Sequence, residues 1–97
     1  MTGIELIAKE RQEQIEKHGR DSGHDAAHND DFQLSHAASW LAAENWGCNS
    51  DGDVIDDQCP LGWDVETWAK MVQKPYRERL VIAGALIAAE LDRLTIA

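Results

Sequence analysis

Residues 80–89 read LVIAGALIAA, the longest unbroken apolar run in the chain, and its length decides the architecture. Ten residues fall short of the roughly 20 needed to cross a bilayer, so the run predicts a helix buried in protein. Pro75 suits the first turn of that helix, and helical spacing continues to Leu94. Tyr76, Leu80, Ala83, Ile87, Leu91 and Leu94 line one predicted face, and Val81, Ala85 and Ala88 another. Gly84 invites a neighbouring helix to pack closely.

Working back toward the N-terminus, Val65, Trp68, Ala69 and Val72 keep helical spacing behind Asp64, a suitable N-cap, and predict one short helix. The preceding stretch, GCNSDGDVIDDQCPLGW at 47–63, is turn-rich and acidic and reads as an exposed loop. Before it, FQLSHAASWLAAENW at 32–46 predicts a helix that Asp30 or Asp31 caps and Gly47 stops. Leu34, Ala37, Ala38, Trp40, Leu41, Ala42, Ala43 and Trp46 make it apolar around most of its circumference. Residues 19–31 read as a polar loop, and an amphipathic helix is expected from about residue 3 to 18, closed by Gly19.

The expectation is one all-α domain spanning residues 1–97, a small bundle of three main helices plus one short one. Two nearly all-apolar helices leave more oil than a chain of this size can hide, which predicts a homo-oligomer. The opening MTGIELIAKERQ has no apolar core and turns charged at once, so no secretory leader is expected and the chain is placed in the cytoplasm. Cys48 and Cys59, eleven positions apart without a CxxC, are then expected as reduced thiols.

Eighteen acidic side chains against nine Lys and Arg give a formal net charge of −9. Such a chain is repelled by phosphate backbones, which argues against duplex nucleic acid as a partner. A local basic pocket for a small anion is compatible with it, because steering follows the local field.

Three constellations carry candidate chemistry. His24, Asp25 and His28 lie within GHDAAHNDDF at 23–32, and i,i+4 histidines on a helix with an added carboxylate can ligate a metal. Against this stands the plainer reading of solvated loop residues that cap a helix, and metal binding is expected to be weak or absent. An HD-type phosphohydrolase would need further His and Asp ligands over a much longer helical domain.

The carboxylates Glu13 and Glu16 on the first helix, with Glu90 and Asp92 on the last, are the alternative metal set, for Mg²⁺. Helical nucleotide pyrophosphohydrolases carry EExxE and ExxD. Here Glu10, Glu13 and Glu16 recur every third residue and the later pair is an ExD, which turns its carboxylates to different faces. Glu13 and Lys17 also fit a simple i,i+4 surface pair.

The third constellation is basic. Arg11 lies on the apolar stripe of Ile7 and Ile15, with His18 and Gln14 flanking it and Arg20 following. Lys74, Arg77 and Arg79, with Tyr76 nearby, surround the start of the last helix, where free N–H groups can receive a phosphate. Trp63, Trp68 and Tyr76 can stack on a base. Two partners are open to Arg11: a carboxylate of the last helix inside the bundle, or a bound phosphate.

The stretches ERQEQIEKHG (10–19), HDAAH (24–28) and KPYRERLVIAGALIAAELDRL (74–94) resemble a group of small phage and prophage proteins. Their pattern reads ERxRQIxxxG, then HDDxxH, a Trp/Pro segment, Lys-Pro, and RRxLVxAxALIxAEIxRL. The resemblance covers the two ends and runs through Glu10, Arg11, Gln12, His24, Asp25, His28, Lys74, Pro75, Arg77, Glu90 and Arg93. It departs at Arg20, where the pattern has Trp, and at Ala26, where it has a second Asp. It implies an accessory protein encoded by a phage and acting inside the bacterial host. Some such proteins are loosely likened to MazG-type nucleotide pyrophosphohydrolases.

Taken together, the residues point to a non-catalytic binder that sequesters a nucleotide-derived molecule, such as a host immune signal. Its expected ligand contacts are Arg11, His18, Arg20, His24, Asp25, His28, Trp63, Lys74, Tyr76 and Arg77, with no cofactor. One alternative is a Mg²⁺-dependent MazG-like pyrophosphohydrolase. Another is a protein inhibitor of a host factor whose acidic surface mimics nucleic acid.

Overall fold

A computed structural model describes residues 1–19, 22–43 and 59–96. Among these residues the chain is all-helical and carries five helices: α1 (Gly3–His18), α2 (Ser22–His28), α3 (Gln33–Leu41), α4 (Val65–Val72) and α5 (Tyr76–Ile96). No helix is long and apolar enough to cross a membrane among the described residues.

Both ends of α1 are set locally. Thr2 Oγ1 accepts from the Glu5 N–H at 3.2 Å, and Glu5 Oε1 accepts from the Thr2 N–H at 3.0 Å, a reciprocal capping box. Gly19 terminates the helix in the left-handed region at φ 64°, its N–H donating to the carbonyls of Gln14 and Ile15. The expected Asp64 cap of α4 also forms, with Oδ2 accepting from the Thr67 N–H at 2.9 Å and the Thr67 hydroxyl at 2.7 Å.

α5 is the central element and packs against α1, α2 and α3. The core joins Leu34, Ala37, Ala38 and Leu41 of α3, Trp68, Met71 and Val72 of α4, and Ile82, Ala83, Leu86 and Ala89 of α5. Trp68 is fully enclosed, and Trp63 meets it edge-on with ring centroids 6.1 Å apart. α1 meets α5 at Gly84, where an added Cβ would stand 2.6 Å from Ile7 Cδ1. The close approach expected of Gly84 is therefore made by α1.

Four expectations need correction. First, the polar loop expected over 19–31 contains α2. Hydrophobic periodicity cannot reveal this helix, because its buried contacts are polar: Asp25 is 1% exposed and Asn29, just beyond its end, is 4%. An acid in the first turn and a histidine in the last also suit its dipole.

Second, neither Asp30 nor Asp31 caps α3. Phe32 occupies the N-cap at φ 64° without a side-chain cap. Gln33 serves the turn instead: its Oε1 accepts from the Asp31 N–H at 2.7 Å, and its Nε2 donates to the Leu61 carbonyl at 3.4 Å.

Third, α3 ends at Leu41 rather than running to Trp46. Arg79 is the reason. Its Nη1 donates to the Leu41 carbonyl at 3.3 Å and the Ala43 carbonyl at 2.8 Å, taking up C-terminal acceptors that another helical turn would have used. Trp46, Gly47, Cys48 and the acidic segment through Gln58 lie outside the described residues.

Fourth, α5 buries a different face from the one that its largest side chains predict. Leu80, Ile87, Leu91 and Leu94 are 39–60% exposed, while Ile82, Ala83, Ala85, Leu86 and Ala89 are buried. Small side chains let α3 pack closely there, so fit outweighs side-chain bulk.

Candidate small-molecule site

α1, α2 and α5, together with the segment leading into α4, enclose a cavity of about 250 Å³. Its floor is apolar, from Leu34, Leu86 and Ala89. Its wall is polar and largely pre-bonded.

Asp25 anchors that wall. Its Oδ1 accepts from Asn29 Nδ2 at 2.8 Å and lies 3.4 Å from His24 Nδ1. Its Oδ2 lies 3.7 Å from Arg11 Nη2. Asn29 Oδ1 in turn accepts from Trp63 Nε1 at 2.8 Å. An Arg11–Asp25–Asn29–Trp63 chain therefore ties α1 to α2 and to the rim ahead of α4. The rim itself turns at Gly62, whose φ of 81° is one that a side chain would strain.

Arg11 is 8% exposed, and its Nη2 also donates to Asp92 Oδ2 at 3.3 Å. Of the two partners open to it in sequence, the structure gives the carboxylate. With Asp25 and Asp92 both on this one guanidinium, the inner cavity does not present uncompensated positive charge to an anion.

Gln14 stands one turn further along α1, on the same cavity. It is 2% exposed, and its Nε2 donates to Glu10 Oε2 at 3.3 Å. Its Oε1 is buried with no hydrogen-bond partner among the described residues. A buried acceptor left unsatisfied costs about 1–3 kcal/mol, and a donor from a ligand would remove that cost. His24 and His28, with ring centroids 4.8 Å apart, form a neighbouring part of the wall.

The expected contacts divide between places. Arg11, His24, Asp25, His28 and Trp63 come together around the inner cavity. Lys74 and Arg77 line a second, larger depression of about 540 Å³ that shares Gln14 and Thr67 with the first. Tyr76 lines neither; the Arg79 guanidinium sits 5.4 Å from its ring centroid. Arg20 and the His18 side chain lie outside the described residues.

The alternative Mg²⁺ set is dispersed. Glu13 lines the outer depression, and Glu16 accepts from Gln12 Nε2 at 3.0 Å on the surface. Asp92 holds Arg11, and Glu90 holds Arg93, raising the Arg93 pKa chiefly through their hydrogen bond. Among the described residues, no three His, Cys, Asp or Glu side chains are grouped to hold a metal ion.

The wall is suited to recognition by hydrogen bonds. The one hydroxyl among the described lining residues, on Thr67, is already donated to Asp64, so no histidine activates it as a nucleophile. Gln14, Asn29 and Thr67 were not among the expected contacts. Gln14 carried a signal, a polar side chain three residues beyond Arg11 on the inward face. Asn29 carried none, since its role depends on Trp63 arriving from 34 positions away.

The chain matches no protein-family model, and neither the curated proteins nor the solved structures yield a significant match.

Proposed function

We propose that this protein captures a small nucleotide-derived molecule in the cavity between α1, α2 and α5 and holds it without transforming it. The observation that carries the reading is Gln14. Its buried Oε1 has no hydrogen-bond partner among the described residues, on a wall that the Asp25–Asn29–Trp63 hydrogen bonds hold in place. Such a wall binds with little reorganisation, which favours affinity. The resemblance of the terminal stretches to small phage proteins supports a scavenging role inside an infected bacterium, against a host signalling nucleotide.

The protein acts in this reading as a homo-oligomer. The exposure of Leu80, Ile87, Leu91 and Leu94 along one line of α5 supports this part. Light scattering that finds a well-folded monomer at micromolar concentration would remove it.

The capture itself is tested by incubating the protein with a nucleotide panel and Mg²⁺ or Mn²⁺, denaturing it, and identifying what is released. Recovery of an intact ligand is the expected result. Monophosphate and pyrophosphate in its place would replace the binder with a hydrolase.

A further inference from the structure

We infer, on the basis of the capture reading above, that the ligand is a nucleoside phosphate bound in two parts: its nucleoside in the inner cavity against Gln14, and its phosphates in the adjoining depression at Lys74 and Arg77.

The size of the inner cavity comes first. At about 250 Å³ it falls below the roughly 300–1,000 Å³ of pockets that enclose whole drug-sized ligands. It has room for a nucleoside-sized group, and the rest of a larger ligand must lie outside it.

Its polarity comes second. Arg11 is matched by Asp25 and Asp92, so a phosphate placed there would meet two carboxylates beside the one cation. Gln14 Oε1 is an acceptor and calls for an N–H or O–H donor. A nucleobase edge or a ribose supplies donors and carries no charge. The group that fits the inner cavity is therefore the uncharged end of the ligand.

The third observation locates the charged end. The outer depression and the inner cavity share two lining residues, Gln14 and Thr67. It carries Lys74 and Arg77, neither of which makes an ion pair among the described residues. Arg11, Arg79 and Arg93, by contrast, are bonded internally. Lys70 also lines this depression, and Glu10, Glu13 and Glu78 balance the three cations, which keeps it near neutral when empty and limits the pull on free phosphate. Binding of the two parts together then exceeds binding of either alone, because the second contact is made within one molecule.

Isothermal titration calorimetry on the full chain separates the parts, with adenosine diphosphate, adenosine and inorganic pyrophosphate as probes. The diphosphate is expected to bind at least tenfold more tightly than adenosine or pyrophosphate. Gln14→Met should weaken adenosine and the diphosphate about tenfold and leave pyrophosphate unchanged. Lys74→Gln combined with Arg77→Gln should weaken the diphosphate and pyrophosphate about tenfold, flatten their salt dependence, and leave adenosine unchanged. A diphosphate no tighter than adenosine, or a double variant with wild-type affinity for it, overturns the two-part site while leaving capture standing. If none of the three probes binds, this inference fails, and the released-ligand experiment decides separately whether capture also fails. Should Gln14→Met not fold, the side-chain amide resonance of Gln14 in the wild-type protein provides the same test: adenosine must shift it, and an unmoved resonance overturns the assignment.

Discussion

Arg11 Nη2 stands 3.3 Å from Asp92 Oδ2, 81 positions away in the chain, and 3.7 Å from Asp25 Oδ2. One guanidinium thus joins α1 to α2 and α5, although it lies on what the sequence presents as an apolar stripe. Arg11→Met should leave Asp25, 1% exposed, without its compensating charge. The expected loss is about 3 kcal/mol by urea denaturation, the scale of breaking one side of a buried pair. Adding Asp25→Asn should restore part of that loss. Unchanged apo stability in the single variant would mean that the pair does not hold the bundle.

Arg79 is a second internal tie. Its fork takes the carbonyls of Leu41 and Ala43 through Nη1 and that of Lys74 through Nε at 3.1 Å. Lysine has one ammonium and cannot reproduce that planar reach. Arg79→Lys should cost about 2 kcal/mol, since each bond from a charged donor contributes roughly 1.5–3 kcal/mol and some are retained. Amide exchange should quicken most in the last turn of α3; a uniform change across the chain would count against a capping role.

Asp64 gives the acid limb of stability a specific contributor. The hydroxyl and amide of Thr67 favour its charged form and hold its pKa below the ordinary 3.8. A lowered folded-state pKa means stability that is complete above the ordinary value and lost as pH falls through the lowered one. Asp64→Asn should therefore reduce the melting temperature at neutral pH and narrow the gap to wild type at the acid end. A gap that widens on acidification would contradict the cap.

Trp63 holds the cavity rim through one bond, from its Nε1 to Asn29 Oδ1. Trp63→Phe keeps an aromatic ring and removes the donor together with part of the indole surface that packs on the core. A stability loss of about 1 kcal/mol is expected, with faster amide exchange around Gly62 and Asp64. If exchange there is unaltered, the bond does not restrain the rim.

Phe32 adopts φ 64° at the start of α3 and is 68% exposed, so it has little burial to offset a left-handed backbone. Asparagine tolerates that region better. Phe32→Asn should raise stability by up to about 1 kcal/mol, measured by thermal melting, and a fall would show that the ring makes a contact worth more than the strain.

The all-helical class, the span of α1, the Gly19 stop, the Asp64 cap and the start of α5 are determined by local signals in the sequence. Each depends on residues within a turn or two: a spacing of three and four, an αL glycine, a side-chain oxygen three residues ahead of an N–H, a proline at a helix start. What the sequence leaves undecided is pairing over distance. α2 is invisible to periodicity because its inward groups are Asp25 and Asn29, and burying them is tolerable only where Arg11 and Trp63 arrive from far along the chain. The end of α3 depends on Arg79 from 36 and 38 positions away. The buried face of α5 depends on which neighbours its alanines fit rather than on the size of its leucines. The cavity follows the same rule: His24, Asp25 and His28 mark it in the sequence, but its shape and its acceptor, Gln14, exist only once three helices meet. Local hydrogen bonds and steric preferences are properties of a short segment, whereas the compensation of a buried charge or amide is a property of the packed whole.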